Sequence, residues 1–152
     1  MTAGDPRRSE GAAALIRDGR RWLARWNAKW GAYNLVAGHR LAEESFRDCI
    51  RREVTEELGL REPADFSVAA EPAARLEYTA FSRSAGVETL YRMEIFPVQL
   101  AQAALRALPE SNVECRWLTE AEIRGGRAAD GRPVSETMAF LLTRAGMMSR
   151  DG

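Results

Sequence analysis

The most informative stretch of the chain reads Gly38-His-Arg-Leu-Ala-Glu-Glu-Ser-Phe-Arg-Asp-Cys-Ile-Arg-Arg-Glu-Val-Thr-Glu-Glu-Leu-Gly-Leu60. Its apolar side chains recur at every fourth position, the spacing of a helical stripe, at Phe46, Ile50, Val54 and Leu58. Ser45 is a typical residue for the start of a helix, and Gly59 is a typical C-terminal cap. The spacing therefore predicts a helix between these two residues.

Three acidic residues of this helix lie beside its apolar stripe. At 100° per residue, Glu53 and Glu57 point within roughly 20° of Phe46, and Glu56 lies on the adjoining flank. A charge run that only faces water is expected on the opposite face. Negative charge near a helix C-terminus also costs about 0.3–1 kcal/mol per group. A hard divalent cation would offset this charge, although an ordinary surface helix rich in glutamate is the alternative.

The stretch resembles the Nudix box, G-x5-E-x7-R-E-U-x-E-E-x-G-U, in which U is a bulky aliphatic residue. Every specified position is matched, by Gly38, Glu44, Arg52, Glu53, Val54, Glu56, Glu57, Gly59 and Leu60. A pattern with this many fixed positions is highly specific. The resemblance implies the Nudix fold, an α/β/α sandwich around a mixed β-sheet.

The resemblance also implies roles for individual residues. The implied metal site comprises Gly38, Glu53, Glu56 and Glu57, and the implied cofactor is Mg²⁺, with Mn²⁺ as the alternative. The implied catalytic residues are Glu53, Arg52 and Glu57. Arg52 orients the carboxylates by ion pairing, and Glu44 helps to hold the loop and the helix together or contributes to metal binding.

The sequence departs from the family pattern just before the box. Many members have Pro-Gly or Gly-Gly there, whereas this chain reads Leu35-Val36-Ala37-Gly38. The departure bears on the conformation of the loop and therefore on substrate fit.

The reaction implied by the resemblance is Mg²⁺-dependent hydrolysis of the diphosphate linkage in a nucleoside diphosphate joined to another group. One alternative is a nucleotide-sensing or regulatory module without turnover. Another is an isomerase of a prenyl diphosphate, which would need a catalytic cysteine and more histidines than the single His39. Oxidised nucleotides, nucleotide sugars, dinucleoside polyphosphates and capped RNA ends all stay open as substrates.

Several residues are candidates for the proton acceptor and for the substrate contacts. Glu53 is the first choice for the base, and the acids eligible outside the box are Glu77, Glu88, Glu94, Glu110 and Glu114. Arg25, Trp26 and Arg40 are candidates for substrate contact. The aromatic cluster Trp22, Trp26, Trp30 and Tyr33 is open to two interpretations, base stacking or core packing. We expect a loop hydrogen bond for His39 and a buried, unreactive thiol for Cys49.

Outside the box, the pattern predicts strands joined largely by hairpins, with short helices in the second half. The predicted strands are 12–16, 20–26, 33–36, 75–82, 89–100 and 113–118, and the predicted helices are 102–108, 119–123 and 135–144. Asp18-Gly19 and Ser84-Ala85-Gly86 are turn signals. This mixture predicts an α+β domain with a mixed sheet.

The composition limits the class of protein. The chain has 152 residues and 45% hydrophobic content, which suits one domain, placed at 12–152 after a flexible tail at 1–11. Its 22 basic and 22 acidic residues give no net field for bulk nucleic acid or an anionic membrane. Two separated cysteines and no long apolar run predict a soluble cytoplasmic protein. The oligomeric state stays open, with a homodimer as one alternative.

Overall fold

The computed structural model describes residues 7–82 and 84–149. Within these ranges the chain forms β1 (Arg7–Leu15), β2 (Arg17–Asp18), β3 (Arg21–Asn27), β4 (Ala32–Asn34), β5 (Ala37–His39), α1 (Phe46–Leu58), β6 (Phe66–Val68), β7 (Ala74–Ser82), β8 (Val87–Leu100), α2 (Gln102–Ala107), β9 (Cys115–Leu118), α3 (Glu120–Gly125) and α4 (Glu136–Arg144). The predicted α+β class is confirmed.

The larger sheet has the order β5-β1-β8-β6, and β7 pairs with the remaining length of β8. β1 is parallel to β8 and antiparallel to β5, so the sheet is mixed as expected. β1 lies between these two strands and aligns Ala12 with Gly38. The first residue of the box therefore belongs to the sheet, and the loop that follows it starts from a fixed position.

The smaller sheet has the order β2-β3-β4, with β9 on the other edge of β3. β2 and β3 form the hairpin predicted at Asp18-Gly19, where Gly19 has a φ of 61°. The left-handed region is accessible to glycine because it has no Cβ. β9 pairs with β3 so that Cys115 stands opposite Arg25. This register brings the chain that precedes β9 towards the end of α1.

Two separate cores confirm the layered α/β/α arrangement. Alternate residues of β1 enter different cores: Ala12 and Ala14 pack on the side of α1, whereas Ala13 and Leu15 pack on the side of α4. Side chains of a strand point alternately to the two faces of a sheet, so a small-residue strand covered on both faces must lie between two helical layers. The main sheet is that middle layer.

Helix α1 follows the predicted stripe and caps. The Ser45 side chain accepts a hydrogen bond from the Asp48 backbone N–H, and Gly59 ends the helix in the left-handed conformation at φ 70°. The buried side chains of α1 are Cys49, Ile50, Val54 and Leu58. Because these side chains fix the rotation of the helix about its axis, they also fix the direction in which the glutamates point.

Several features differ from the sequence-based expectations. The tail predicted at 1–11 is wrong in its second half, because β1 begins at Arg7 and pairs with Thr89 of β8; residues 1–6 lie outside the described residues. Backbone hydrogen bonds along β8 stabilise this polar segment, which has no hydrophobic pattern of its own. The short strands β5 and β6 were not predicted, and the strand predicted at 33–36 ends at Asn34 as β4. No helix in the described ranges is long and apolar enough to cross a bilayer.

We expect Gly11→Ala to destabilise the fold by about 1–3 kcal/mol, the cost typical of overpacking. An added Cβ would lie 2.5 Å from the carbonyl oxygen of Gly38, which is backbone and cannot rotate away. Urea denaturation measures the free energy of unfolding. Gly125→Ala is the matched control, since an added Cβ there meets nothing within 4 Å and we expect little change. Equal stabilities of the two variants would contradict the prediction.

Candidate metal centre

The C-terminal half of α1 carries three glutamates in different degrees of contact with solvent. The side chain of Glu53 is 13% exposed, that of Glu57 is 24% exposed and that of Glu56 is 58% exposed. Water stabilises a carboxylate far better than an apolar surrounding does. Glu53 and Glu57 therefore depend on protein groups or a ligand for stabilisation, whereas Glu56 is largely hydrated.

Arg52 supplies that stabilisation to Glu53 but not to Glu57, and it also pairs with Glu44 and Glu56. Its guanidinium donates two hydrogen bonds to Glu44, at 2.7 and 3.1 Å, and one to Glu53 at 2.7 Å. It donates a further bond to Glu56 at 3.2 Å and one to the His39 carbonyl at 3.0 Å. This pairing lowers the pKa of Glu44 to about 2. The loop before α1 and the acidic face of α1 are thus held by one side chain.

Gly38 makes room for the Glu53 carboxylate. A Cβ at position 38 would overlap the carboxyl group of Glu53, and one at Gly11 would meet the Gly38 carbonyl. The three residues are stacked from β1 through β5 to the helix. Glycine at position 38 is therefore required for the Glu53 carboxylate to keep this position.

Glu57 is the carboxylate whose negative charge is least stabilised by hydrogen bonds and ion pairs from the protein. Burial, followed by the charge of Glu53, raises the pKa of Glu57 to about 7, against weaker lowering effects from Arg25 and the Ala37 backbone. Its Oε2 is buried and has no hydrogen-bond partner. Burial also raises the pKa of Glu53. An unpartnered buried carboxylate oxygen needs a positive ligand to be stable when ionised.

The donor set fits a hard cation in its chemistry, although the carboxylates do not converge. Among the described residues no three His, Cys, Asp or Glu side chains are grouped closely enough to hold a metal ion. Arg52 draws oxygens of Glu53 and Glu56 towards itself. The unpartnered Oε2 of Glu57 and the oxygen-only character of the acids suit Mg²⁺, which keeps several water ligands.

Arg25 is the candidate substrate residue that lies beside these acids. Its Nη1 is 4.0 Å from Oε1 of Glu57, and its Nη2 is 2.7 Å from Oε2 of Glu114. Of the five glutamates considered as bases outside the box, Glu114 alone is connected to a box acid through an arginine in the part of the chain that the structure describes.

Trp26 lies on the other face of β3 from Arg25, because successive residues of a strand alternate. Its ring contacts Tyr33 edge to face, with centroids 5.2 Å apart, and the Arg132 guanidinium covers it at 4.7 Å. Tyr33 and Trp22 are buried in the core on the side of α4. Core packing therefore accounts for these two aromatic residues.

Arg40, the third candidate substrate residue, is engaged in the loop before α1. It forms an ion pair with Glu10, donates a hydrogen bond to the Glu44 carbonyl at 2.8 Å and lies 5.3 Å from the centroid of Phe46. These contacts join the loop to β1 and to the first turn of the helix. Arg40 thus stabilises the conformation of the loop.

Cys49 has the expected surroundings, whereas His39 is the last residue of strand β5 and does not lie in a loop. Nδ1 of His39 lies 3.1 Å from the Ser9 hydroxyl, which is a hydrogen bond between β5 and β1. Cys49 is buried, and burial raises the pKa of its thiol to about 12. A thiol protonated at neutral pH is a poor nucleophile, so Cys49 is a packing residue.

Sequence reasoning missed Asn112, which connects the end of α1 to the segment before β9. Its side-chain nitrogen donates to the Glu57 carbonyl at 2.7 Å, and its oxygen accepts from the Glu114 backbone N–H at 3.2 Å. Asn112 and Glu57 are 55 positions apart. No local pattern could have indicated the contact.

Comparison with known proteins identifies the family. The model of the NUDIX domain matches residues 7–138, most of the chain. The chain belongs to the Nudix family. Nudix proteins generally use divalent ions such as Mg²⁺. No protein of curated function matches the chain in sequence.

Solved Nudix structures share the fold at low sequence identity. A NUDIX hydrolase from Nitrosomonas europaea is 23% identical, with a TM-score of 0.56 over 78% of this chain and 77% of that chain. The C. elegans Ap4A hydrolase is 16% identical, with a TM-score of 0.56 and coverages of 91% and 96%. Shewanella oneidensis NrtR complexed with a 27mer DNA is 14% identical, with a TM-score of 0.59 and coverages of 89% and 59%.

The raised pKa of Glu57 predicts a pH-dependent stability. The folded chain holds a proton on Glu57 between pH 4.5 and about 7 that the unfolded chain loses, so stability falls as the pH rises through this window. In a chelator above this window, we expect Glu57→Gln to be more stable than the parent by on the order of 2 kcal/mol. Urea denaturation across pH measures this difference, which should vanish below pH 4.5. A difference independent of pH would contradict the assignment.

We expect Gly38→Ala to disturb the site more than the fold. The added Cβ meets the end of a flexible side chain, so the Glu53 carboxylate can move away and leave its contact with Arg52. The measurement is Mn²⁺ affinity by calorimetry, with the free energy of unfolding recorded in parallel. A loss of affinity of about tenfold or more is expected. Unchanged affinity would show that the position of Glu53 is not essential.

Proposed function

We propose that the chain is a divalent-metal-dependent hydrolase that cleaves the diphosphate linkage of a nucleoside diphosphate joined to a second group. The observation that carries this proposal is the half-buried Glu57 carboxylate beside Glu53, which has a raised pKa and one buried oxygen without a partner. Such an acid favours a bound cation. A cation at this position would also attract a diphosphate, whose own negative charge requires neutralisation.

The proposed roles follow from the contacts of each side chain. Glu53, Glu56 and Glu57 hold the metal ion, which when bound neutralises phosphate oxygens and lowers the pKa of a water molecule. Arg52 orients Glu53 and Glu56 through the ion pairs already present. Glu53 is the first candidate to accept the proton of the attacking water.

Arg25 is the proposed contact for the diphosphate. It lies beside Glu57, its side chain is 30% exposed, and its Nε is buried without a hydrogen-bond partner. A guanidinium suits this role because its fixed fork of donors matches phosphate oxygens. Trp26 and Arg40 already make contacts elsewhere, and the proposal assigns no substrate contact to them.

The second candidate function is a nucleotide-binding regulatory module without turnover. The structural likeness to NrtR, solved with a 27mer DNA, motivates it. The complete set of box acids favours hydrolysis instead, because loss of these carboxylates is the feature that would indicate a module without turnover. Turnover itself separates the two functions.

The test is product release from a panel of nucleoside diphosphate derivatives, measured with Mg²⁺ and with a chelator. We expect turnover with at least one substrate class only when the metal is present. Glu57→Gln should reduce kcat/KM at least about 100-fold, since loss of groups that only orient metal ligands already costs 10- to 100-fold.

Glu43→Gln is the matched control, because Glu43 is exposed on the loop before α1 and is not a specified position of the box. It should retain parental turnover. Metal-dependent nucleotide binding without release of product would support the regulatory module. Full activity of Glu57→Gln would show that Glu57 is not a metal ligand.

A further inference from the structure

Arg25 lies between two carboxylates but pairs closely with only one of them. Its Nη2 is 2.7 Å from Glu114, a hydrogen-bonding distance, whereas its Nη1 is 4.0 Å from Glu57, the outer limit of an ion pair. The Nε of Arg25 and the Oε2 of Glu57 are both buried without a partner. A donor and an acceptor that both lack partners thus lie on neighbouring side chains and are not joined to each other.

Glu114 has a fixed position relative to α1. Its backbone N–H donates to Asn112, and the Asn112 side chain donates to the Glu57 carbonyl at the end of the helix. On its other side, the Glu114 carbonyl accepts a hydrogen bond from the Trp26 backbone at 2.8 Å. Glu114 is therefore attached both to the end of α1 and to β3. It can hold the Arg25 guanidinium in a defined position.

The position of Arg25 matters because a guanidinium and a divalent cation compete for the same carboxylate. Glu57 is more buried than Glu114, with side-chain exposures of 24% and 48%. Charge interactions are stronger where less water screens them, so an unrestrained Arg25 would gain by moving onto Glu57. Such a pair would satisfy Glu57 without a metal ion.

We propose that Glu114 is a positioning residue that restrains Arg25 and so keeps the Glu57 carboxylate available to the divalent cation. This inference rests on the proposed function, since it requires a metal ion at Glu57. It assigns to Glu114 an effect on metal affinity that acts through Arg25 and not through contact with the ion.

A double-mutant cycle on metal binding tests the inference. Mn²⁺ affinity is measured by calorimetry, without nucleotide, for the parent, Glu114→Gln, Arg25→Met and the double variant. We expect Glu114→Gln to weaken Mn²⁺ binding by about two- to fivefold, the range of a partly exposed ion pair. Arg25→Met should bind Mn²⁺ at least as tightly as the parent, because the competing cation is gone. In the Arg25→Met background, Glu114→Gln should have no effect beyond that of the control.

Glu110→Gln is the control for removing one negative charge, because Glu110 is exposed in the same segment. Glu114→Asp, which keeps the charge on a shorter side chain, should have an affinity between those of the parent and Glu114→Gln. Far-ultraviolet circular dichroism and urea denaturation check that each variant is folded; if Glu114→Gln is unfolded, the Asp variant is compared in both backgrounds instead.

Equal weakening by Glu114→Gln with and without Arg25 would overturn the inference and indicate that Glu114 acts on the ion directly. An affinity for Glu114→Gln equal to that of Glu110→Gln would also overturn it. If the parent binds no Mn²⁺ and shows no metal-dependent turnover, the proposed function itself fails. If the parent binds Mn²⁺ and the cycle shows no coupling, only the role of Glu114 fails.

Discussion

The guanidinium of Arg52 is the contact on which the acidic face of α1 depends. It donates to Glu44, Glu53, Glu56 and the His39 carbonyl, and thereby joins the loop to the helix. An arginine suits this position because it stays charged and presents several donors in one plane. Without it, neighbouring carboxylates would repel each other near a helix end that already disfavours them. The box arginine is thus part of the stability of the fold as well as of the site.

The fold and the site also share one steric constraint. Gly11 on β1 lies against the carbonyl of Gly38 on β5, and Gly38 lies against the carboxyl group of Glu53 on α1. A side chain at Gly11 would push β5 outward, whereas one at Gly38 would displace the Glu53 carboxylate from its contact with Arg52. Since α1 is fixed on its apolar side by Cys49, Ile50, Val54 and Leu58, the helix itself has little freedom to move away from β5. The close approach of strand and helix therefore sets where Glu53 can be.

The sequence pattern correctly predicted the features that depend on interactions between residues close together in the chain. The spacing of apolar residues and the caps at Ser45 and Gly59 predicted α1, because helix bonds and caps form within a few residues. The strand start at Arg7 was missed because its partner, Thr89, is 82 residues away. Large sequence separation also explains which contacts of the site were predicted and which were missed. The box predicted the acids on one helix, whereas the Glu114 and Asn112 contacts arise from pairing between β3 and β9, which the pattern of a single segment cannot predict.

The negative charge of each box glutamate is stabilised to a different extent and by different groups. Glu44 has two bonds from Arg52 and a lowered pKa, and Glu56 is largely hydrated. Glu53 has one bond from the same guanidinium. Glu57 is left with a distant arginine that is already paired to Glu114. A bound cation therefore has its largest stabilising effect at Glu57, where protein groups offset the negative charge least. The burial that raises the pKa of Glu57 also limits the access of water molecules that would compete with the carboxylate for that cation. The least stabilised carboxylate of the metal-free protein, Glu57, is therefore the group at which a metal ion would contribute most to stability.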